Sequence, residues 1–138
     1  MPAKNIDHDA VRDALVADGW TITDDPLKVQ YGNRRVYVDL GDERALAAER
    51  DGRRIAIEIQ SFVCDSHMDS LHHAVGQYCV YRVILARTKA ERELYLAVSE
   101  ETHGEALSDQ IGLAVIADLD IKLLIFDPMS RRVVEWKS

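Results

Sequence analysis

Two cysteines in 138 residues are too few for a disulfide framework, and their scarcity suits a reducing compartment. Three prolines and seven glycines leave no Pro/Gly/Ser-rich stretch to act as a linker. No segment repeats and none is of low complexity, so one domain over residues 1–138 is expected. No apolar run approaches the roughly 20 residues of a membrane span. The N-terminus, Met1-Pro-Ala-Lys-Asn-Ile-Asp-His8, lacks the apolar stretch of a signal peptide. Positive charge is also short: 17 Lys and Arg face 24 Asp and Glu, a formal net charge of -7. That excludes a basic, sequence-indifferent nucleic-acid coat. It leaves open an enzyme whose acidic site recruits a divalent cation before it meets phosphate. What remains is a soluble, cytoplasmic domain, 47% hydrophobic and so able to build one core.

Along the chain, Ile6, Ala10, Val11, Ala14, Leu15 and Ala17 form a helical stripe over 5–18, with Gly19 as its cap. Trp20 to Asp24 reads as a short strand, and Pro26 argues against further ladder pairing there. Tyr31-Gly-Asn33 marks a turn before a strand over 36–40. Residues 45–50 and 54–61 read as a hairpin about Asp51-Gly52. A helix with a wide apolar face is expected over 67–86, a strand over 92–98 and a helix over 104–117. Strands over 121–126 and 132–136 follow, the last at an edge. The order αββββαβαββ implies an α/β fold, a mixed β-sheet flanked by helices.

The hairpin's second strand, Arg54-Ile-Ala-Ile-Glu-Ile-Gln-Ser61, carries one carboxylate where an apolar run predicts an aliphatic residue. Alternation puts Glu58 and Gln60 on one face and Ile55, Ile57 and Ile59 on the other. A carboxylate in a buried strand is costly unless paired, hydrogen-bonded or metal-bound. A solvated edge strand would meet the same pattern more cheaply.

A helix, a hairpin carrying Glu-x-Gln, a second helix and another strand resemble the restriction-endonuclease-like core of the PD-(D/E)xK nucleases. The resemblance implies that Glu58 and an upstream acid bind Mg²⁺, with Gln60 where the superfamily has a water-positioning Lys. Mg²⁺ suits such a set, because it takes one or two carboxylates plus waters and phosphate oxygens. Asp39, Glu43 and Glu49 compete for the second ligand; Asp39, at the end of an apolar strand, is preferred. Gln77 and Tyr81, four apart on one helical face, resemble the Q-x-x-x-Y element that some of these nucleases place beside the metal.

A closer resemblance spans nearly the whole chain. Leu15-Val-Ala-Asp-Gly-Trp-Thr-Ile-Thr-Asp-Asp-Pro-Leu27, Tyr37-Val-Asp-Leu-Gly41, Leu46-Ala-Ala-Glu-Arg50, Ile55-Ala-Ile-Glu-Ile-Gln-Ser-Phe62, Ala74-Val-Gly-Gln-Tyr78 and Leu94-Tyr-Leu-Ala-Val98 resemble the XisH family, the cyanobacterial fdxN element excision controlling factors. This implies action in DNA excision with a XisI-like partner and a recombinase. Related pairs are also discussed as toxin–antitoxin modules. The family pattern has Lys where this chain has Gln60. An amide orients a water but brings no positive charge and is no general acid or base at pH 7.

Blander readings attach to the other polar residues. Cys64, His67, His72 and His73 do not fall on one helical face, so zinc is disfavoured. His8 on the first helix is expected as a partly buried or capping residue that could also support a site. Arg34-Arg35, Arg53-Arg54 and Arg131-Arg132 could grip DNA phosphates but read first as solvated turn ends. The edge strand at 132–136 could pair with a second copy to give a homodimer.

Overall fold

The computed structural model describes residues 3–25, 27–31, 34–37, 44–59, 67–88, 92–107 and 109–137. Helix α1 (Ala3–Ala17) leads into strand β1 (Thr21–Asp24). A hairpin of β2 (Lys28–Tyr31) and β3 (Arg34–Tyr37) follows, then β4 (Arg44–Arg50) and β5 (Arg53–Ile59). Helix α2 (His67–Thr88) connects β5 to β6 (Arg92–Ser99). Helices α3 (Glu100–Ala106) and α4 (Gln110–Asp118) lead to β7 (Leu123–Asp127) and β8 (Arg132–Lys137).

Six strands form one mixed sheet in the order β1-β4-β5-β6-β7-β8, and β2-β3 stand apart as a two-stranded sheet. The β5–β6 and β6–β7 pairs are parallel, which requires the long connections that α2 and the α3–α4 pair supply. The β4–β5 hairpin turns at Asp51-Gly52, with φ of 51° and 83°. Positive φ at both central residues is what a tight two-residue hairpin demands, and an Asp-Gly pair meets it at low strain.

The sheet separates two cores. On one face, Ala10, Val11 and Leu15 of α1 pack with Leu46, Ala48, Ile55, Ile57 and Ile59. Stripe spacing on α1 and alternation on β5 meet there, as expected from the sequence. On the other face, Leu71, Ala74, Tyr78, Tyr81 and Leu85 of α2 pack over Ala45, Ala47, Ala56, Leu94 and Leu96. Three alanines on the strands give the two tyrosines room, so large and small side chains interdigitate.

The structure corrects several expectations. The helix expected over 104–117 is two helices. Ser99 Oγ accepts from Thr102 N at 3.1 Å to start α3, and Asp109 Oδ1 accepts from Gly112 N at 2.7 Å to start α4. Each is an N-cap that a single continuous stripe conceals. Strand β2 is additional, so the order is αβββββαβααββ. Pairing also resumes after position 26, since Leu27 N donates to Ala45 O at 2.8 Å. Strand β3 begins earlier than expected, at Arg34, and positions 38–40 lie outside the described residues. The last strand is an edge, as expected. Its charged Arg132, Glu135 and Lys137, and a register shift opposite Ile125 and Phe126, are features that blunt an edge against further pairing.

Candidate functional site

Glu58 is 1% exposed, next to last on β5 at the carboxyl end of the parallel strands. Ligands of open α/β sheets gather at that end. Its neighbours fix the direction of its side chain. Ala45 on β4 and Leu96 on β6 stand directly opposite, and both belong to the core under α2. Opposed residues share a face, so Glu58 enters the layer between the sheet and α2.

Gln77 and Tyr81 come into the same layer from the other side. On α2, Ala74, Tyr78, Tyr81 and Leu85 are buried, and Gln77 at 9% exposure falls within that stripe. The structure thus gathers Glu58, Gln77 and Tyr81 between one strand and one helix. Gln77 Oε1 is buried without a hydrogen-bond partner among the described residues. An amide oxygen left so costs about 1–3 kcal/mol. A buried carboxylate on the strand and an amide oxygen with capacity to accept on the helix above are both hard-oxygen donors. They fit Mg²⁺, which needs only one or two carboxylates.

The remaining candidates are distributed differently. Asp39, Glu43 and Gln60 lie outside the described residues. Glu49 stands opposite Arg54, four residues before Glu58, and pairs with it at 3.7 Å. Four residues along a strand span about 13 Å, too far for Glu49 and Glu58 to share an ion whose ligands lie at about 2.1 Å. His8 rides on α1, over the opposite face of the sheet. Its Nε2 lies 2.7 Å from Asp25 Oδ1 and its Nδ1 3.2 Å from Asp9 Oδ1, while Arg12 holds the other oxygen of Asp25. His8 therefore ties α1 to the end of β1 and does not join Glu58.

Of the arginines that stand in pairs, Arg53, Arg54 and Arg131 form ion pairs with acids. Arg53 donates to Glu93 at 3.0 Å, which holds the Glu93 carboxyl below its ordinary range, and Arg131 donates to Asp13 at 2.6 Å. His72 and His73 are exposed on α2, and Cys64 and the His67 side chain lie outside the described residues. Among the described residues no cluster of three or more His, Cys, Asp or Glu could hold a metal.

Two residues escaped the sequence reading. Tyr78 is 1% exposed; its hydroxyl donates to Leu94 O at 2.8 Å and accepts from Lys122 N at 3.2 Å. Arg92, 9% exposed in its side chain, donates to Ile55 O at 3.3 Å and lies 3.7 Å from Asp24. It crosses the sheet beneath the end of α2. A tyrosine one position from Gln77, and an arginine opening an otherwise apolar strand, were the available signals.

The family described as XisH protein matches residues 1–134. The chain belongs to the XisH family. A crystal structure of an XisH family protein from Nostoc punctiforme PCC 73102 is 35% identical, with a TM-score of 0.88 over 96% of this chain and 99% of that one. A crystal structure of an fdxN element excision controlling factor protein from Anabaena variabilis is 32% identical, again with a TM-score of 0.88, over 97% and 99%. No curated protein matches. The six-stranded sheet with Glu58 beneath α2 is thus built on an XisH scaffold. No helix among its described residues is long and apolar enough to cross a membrane.

Proposed function

We propose that this XisH-family protein acts in DNA excision, as an fdxN element excision controlling factor does, through a Mg²⁺-dependent phosphodiesterase site anchored by Glu58. The observation that carries this is the burial of one carboxylate, Glu58 at 1% exposure, in the layer that also receives Gln77 and Tyr81. Glu58 stands at the carboxyl end of the parallel strands, where ligands of open α/β sheets gather. The order of hairpin, crossing helix and parallel strand supports a restriction-endonuclease-like core, with Glu58 where that core carries its metal ligand.

In this reading Glu58 and Asp39 hold Mg²⁺, and Gln77 and Tyr81 orient groups around it. A bound Mg²⁺ supplies charge stabilisation for the phosphorane and a more acidic water. Gln60 orients that water but lends no positive charge. By analogy with loss of one oxyanion donor, this lowers the rate by about 10²–10³. Plasmid nicking with Mg²⁺ or Mn²⁺ tests it: Gln60→Lys nicks faster than the wild type. An equal or slower variant removes Gln60 from the lysine's role.

A second reading draws on Gln60 and the net charge of -7. The same fold then serves as a non-cleaving subunit that binds a XisI-like partner, or as the toxin half of a toxin–antitoxin pair. Nicking absent from both the wild type and Gln60→Lys, with retained partner binding, favours it.

A further inference from the structure

Helix α4 has an unusual composition for its position. From Gln110 to Ala117 it carries no charge, yet only Gly112 is buried among its residues. Ile111 is 51% exposed and Leu119, just past its end, 38%. A helix that is apolar on most sides belongs in an interior or against a partner. Beside it, α2 presents Met68, Leu71, His72 and Val75, and with Ile111, Val115 and Leu119 these line a groove of about 210 Å³. Arg82 of α2 donates to Leu119 O at 2.7 Å and so ties the end of α4 to α2.

The rim decides what fits. Asp109, two residues before Ile111, and Asp118, next to Leu119, are exposed at the two ends of α4. A second copy of the chain would bring acid against acid, on top of a net charge of -7 for each. A helix with an apolar ridge flanked by Lys or Arg satisfies both parts, its ridge in the groove and its cations on the rim.

We infer that the α2–α4 groove is a docking site for one basic amphipathic helix of a partner protein. The site lies along the flank of α2 that faces α4, and it stands independently of any metal at Glu58. A partner seated there would contact the same helix that closes the Glu58 layer.

The test uses the full chain and three synthetic helical peptides. One has a leucine ridge flanked by lysines, one has glutamates in place of those lysines, and one has the first peptide's composition scrambled. Binding is followed by fluorescence anisotropy and by amide chemical-shift mapping. The lysine-flanked helix should bind, with shifts centred on Met68–Val75 and Ile111–Leu119. The glutamate and scrambled peptides should bind at least about tenfold more weakly, a gap of roughly 1.4 kcal/mol. Ile111→Ser, at a half-exposed position, should keep the thermal midpoint and lose the binding. Asp118→Lys should weaken the lysine peptide and spare the fold. Equal binding of all three peptides, no binding of any, or shifts elsewhere overturns the inference. So does a concentration-dependent dimer in sedimentation that Ile111→Ser abolishes, since a second copy would then own the groove.

Discussion

Replacing Tyr78 with Phe removes one oxygen and leaves the ring, so the packing of α2 on the sheet is kept while two hydrogen bonds go. The hydroxyl joins three elements: it sits on α2, donates to Leu94 O on β6 and accepts from Lys122 N just before β7. Both partners are backbone groups, and Lys122 N is left with no replacement acceptor from the ring. A typical bond contributes about 1 kcal/mol net, with more where a buried group is stranded, so a loss of about 2–3 kcal/mol is expected. For a chain of this length the unfolding entropy is about 0.3 kcal/mol/K, which converts that loss to a fall of about 7–10 °C in Tm. Urea unfolding followed by circular dichroism should show a lower midpoint at an unchanged slope. Burial also pushes the Tyr78 phenol up from 10.0. Its neutral form is the one the fold favours, so the stabilisation is complete below pH 10 and is lost as pH rises through the raised value. The wild type should therefore weaken above pH 10 more steeply than Tyr78→Phe. A Phe variant within about 0.5 kcal/mol of the wild type, outside the usual cost of a stranded buried donor, would refute this account of the α2–β6–β7 junction.

Three more outcomes follow from particular contacts. Gly52→Ala places a Cβ where no other atom lies within 4 Å, so its cost is conformational, about 1 kcal/mol from the left-handed backbone. A neutral result in urea titration would mean that the turn relaxes. Leu15→Ala opens the α1 face of the core and should cost about 2–5 kcal/mol by the same assay, against well under that for exposed Val16→Ala. Burial, then Lys137, hold the His103 imidazole below 6.5. Its neutral form is favoured in the fold, so this contribution is complete above pH 6.5 and is lost as pH falls through the lowered value. His103→Gln should flatten the fall in stability as pH drops below 6.5 relative to the wild type; parallel curves would discount His103.

Much of this was legible because two periodicities are strong in the sequence. The isoleucines at 55, 57 and 59 announced a strand with one aliphatic face, and Asp51-Gly52 announced its hairpin. Both stand where expected because local turn chemistry and burial agree. Glu58 was conspicuous for the same reason: it breaks an apolar run, and Gln77 and Tyr81 at helical spacing are buried on α2 as it is on β5. What misled was punctuation by side chains. Ser99 and Asp109 each start a helix by capping it, and a pattern of apolar residues over 104–117 hides the second start. His8 found a partner seventeen residues along the chain, Asp25, that sequence separation conceals. The exposure of α4 could not be read from composition, since an uncharged helix is ordinarily the buried one.

The central claim is that Glu58 is buried in order to hold a divalent cation. Isothermal titration of Mg²⁺ and Mn²⁺ into the wild type, beside Glu58→Gln and Glu58→Ala, tests it directly, with circular dichroism confirming that the variants fold. The account predicts saturable binding by the wild type that both variants lose. Binding unchanged in the variants, or absent from the wild type, would contradict it.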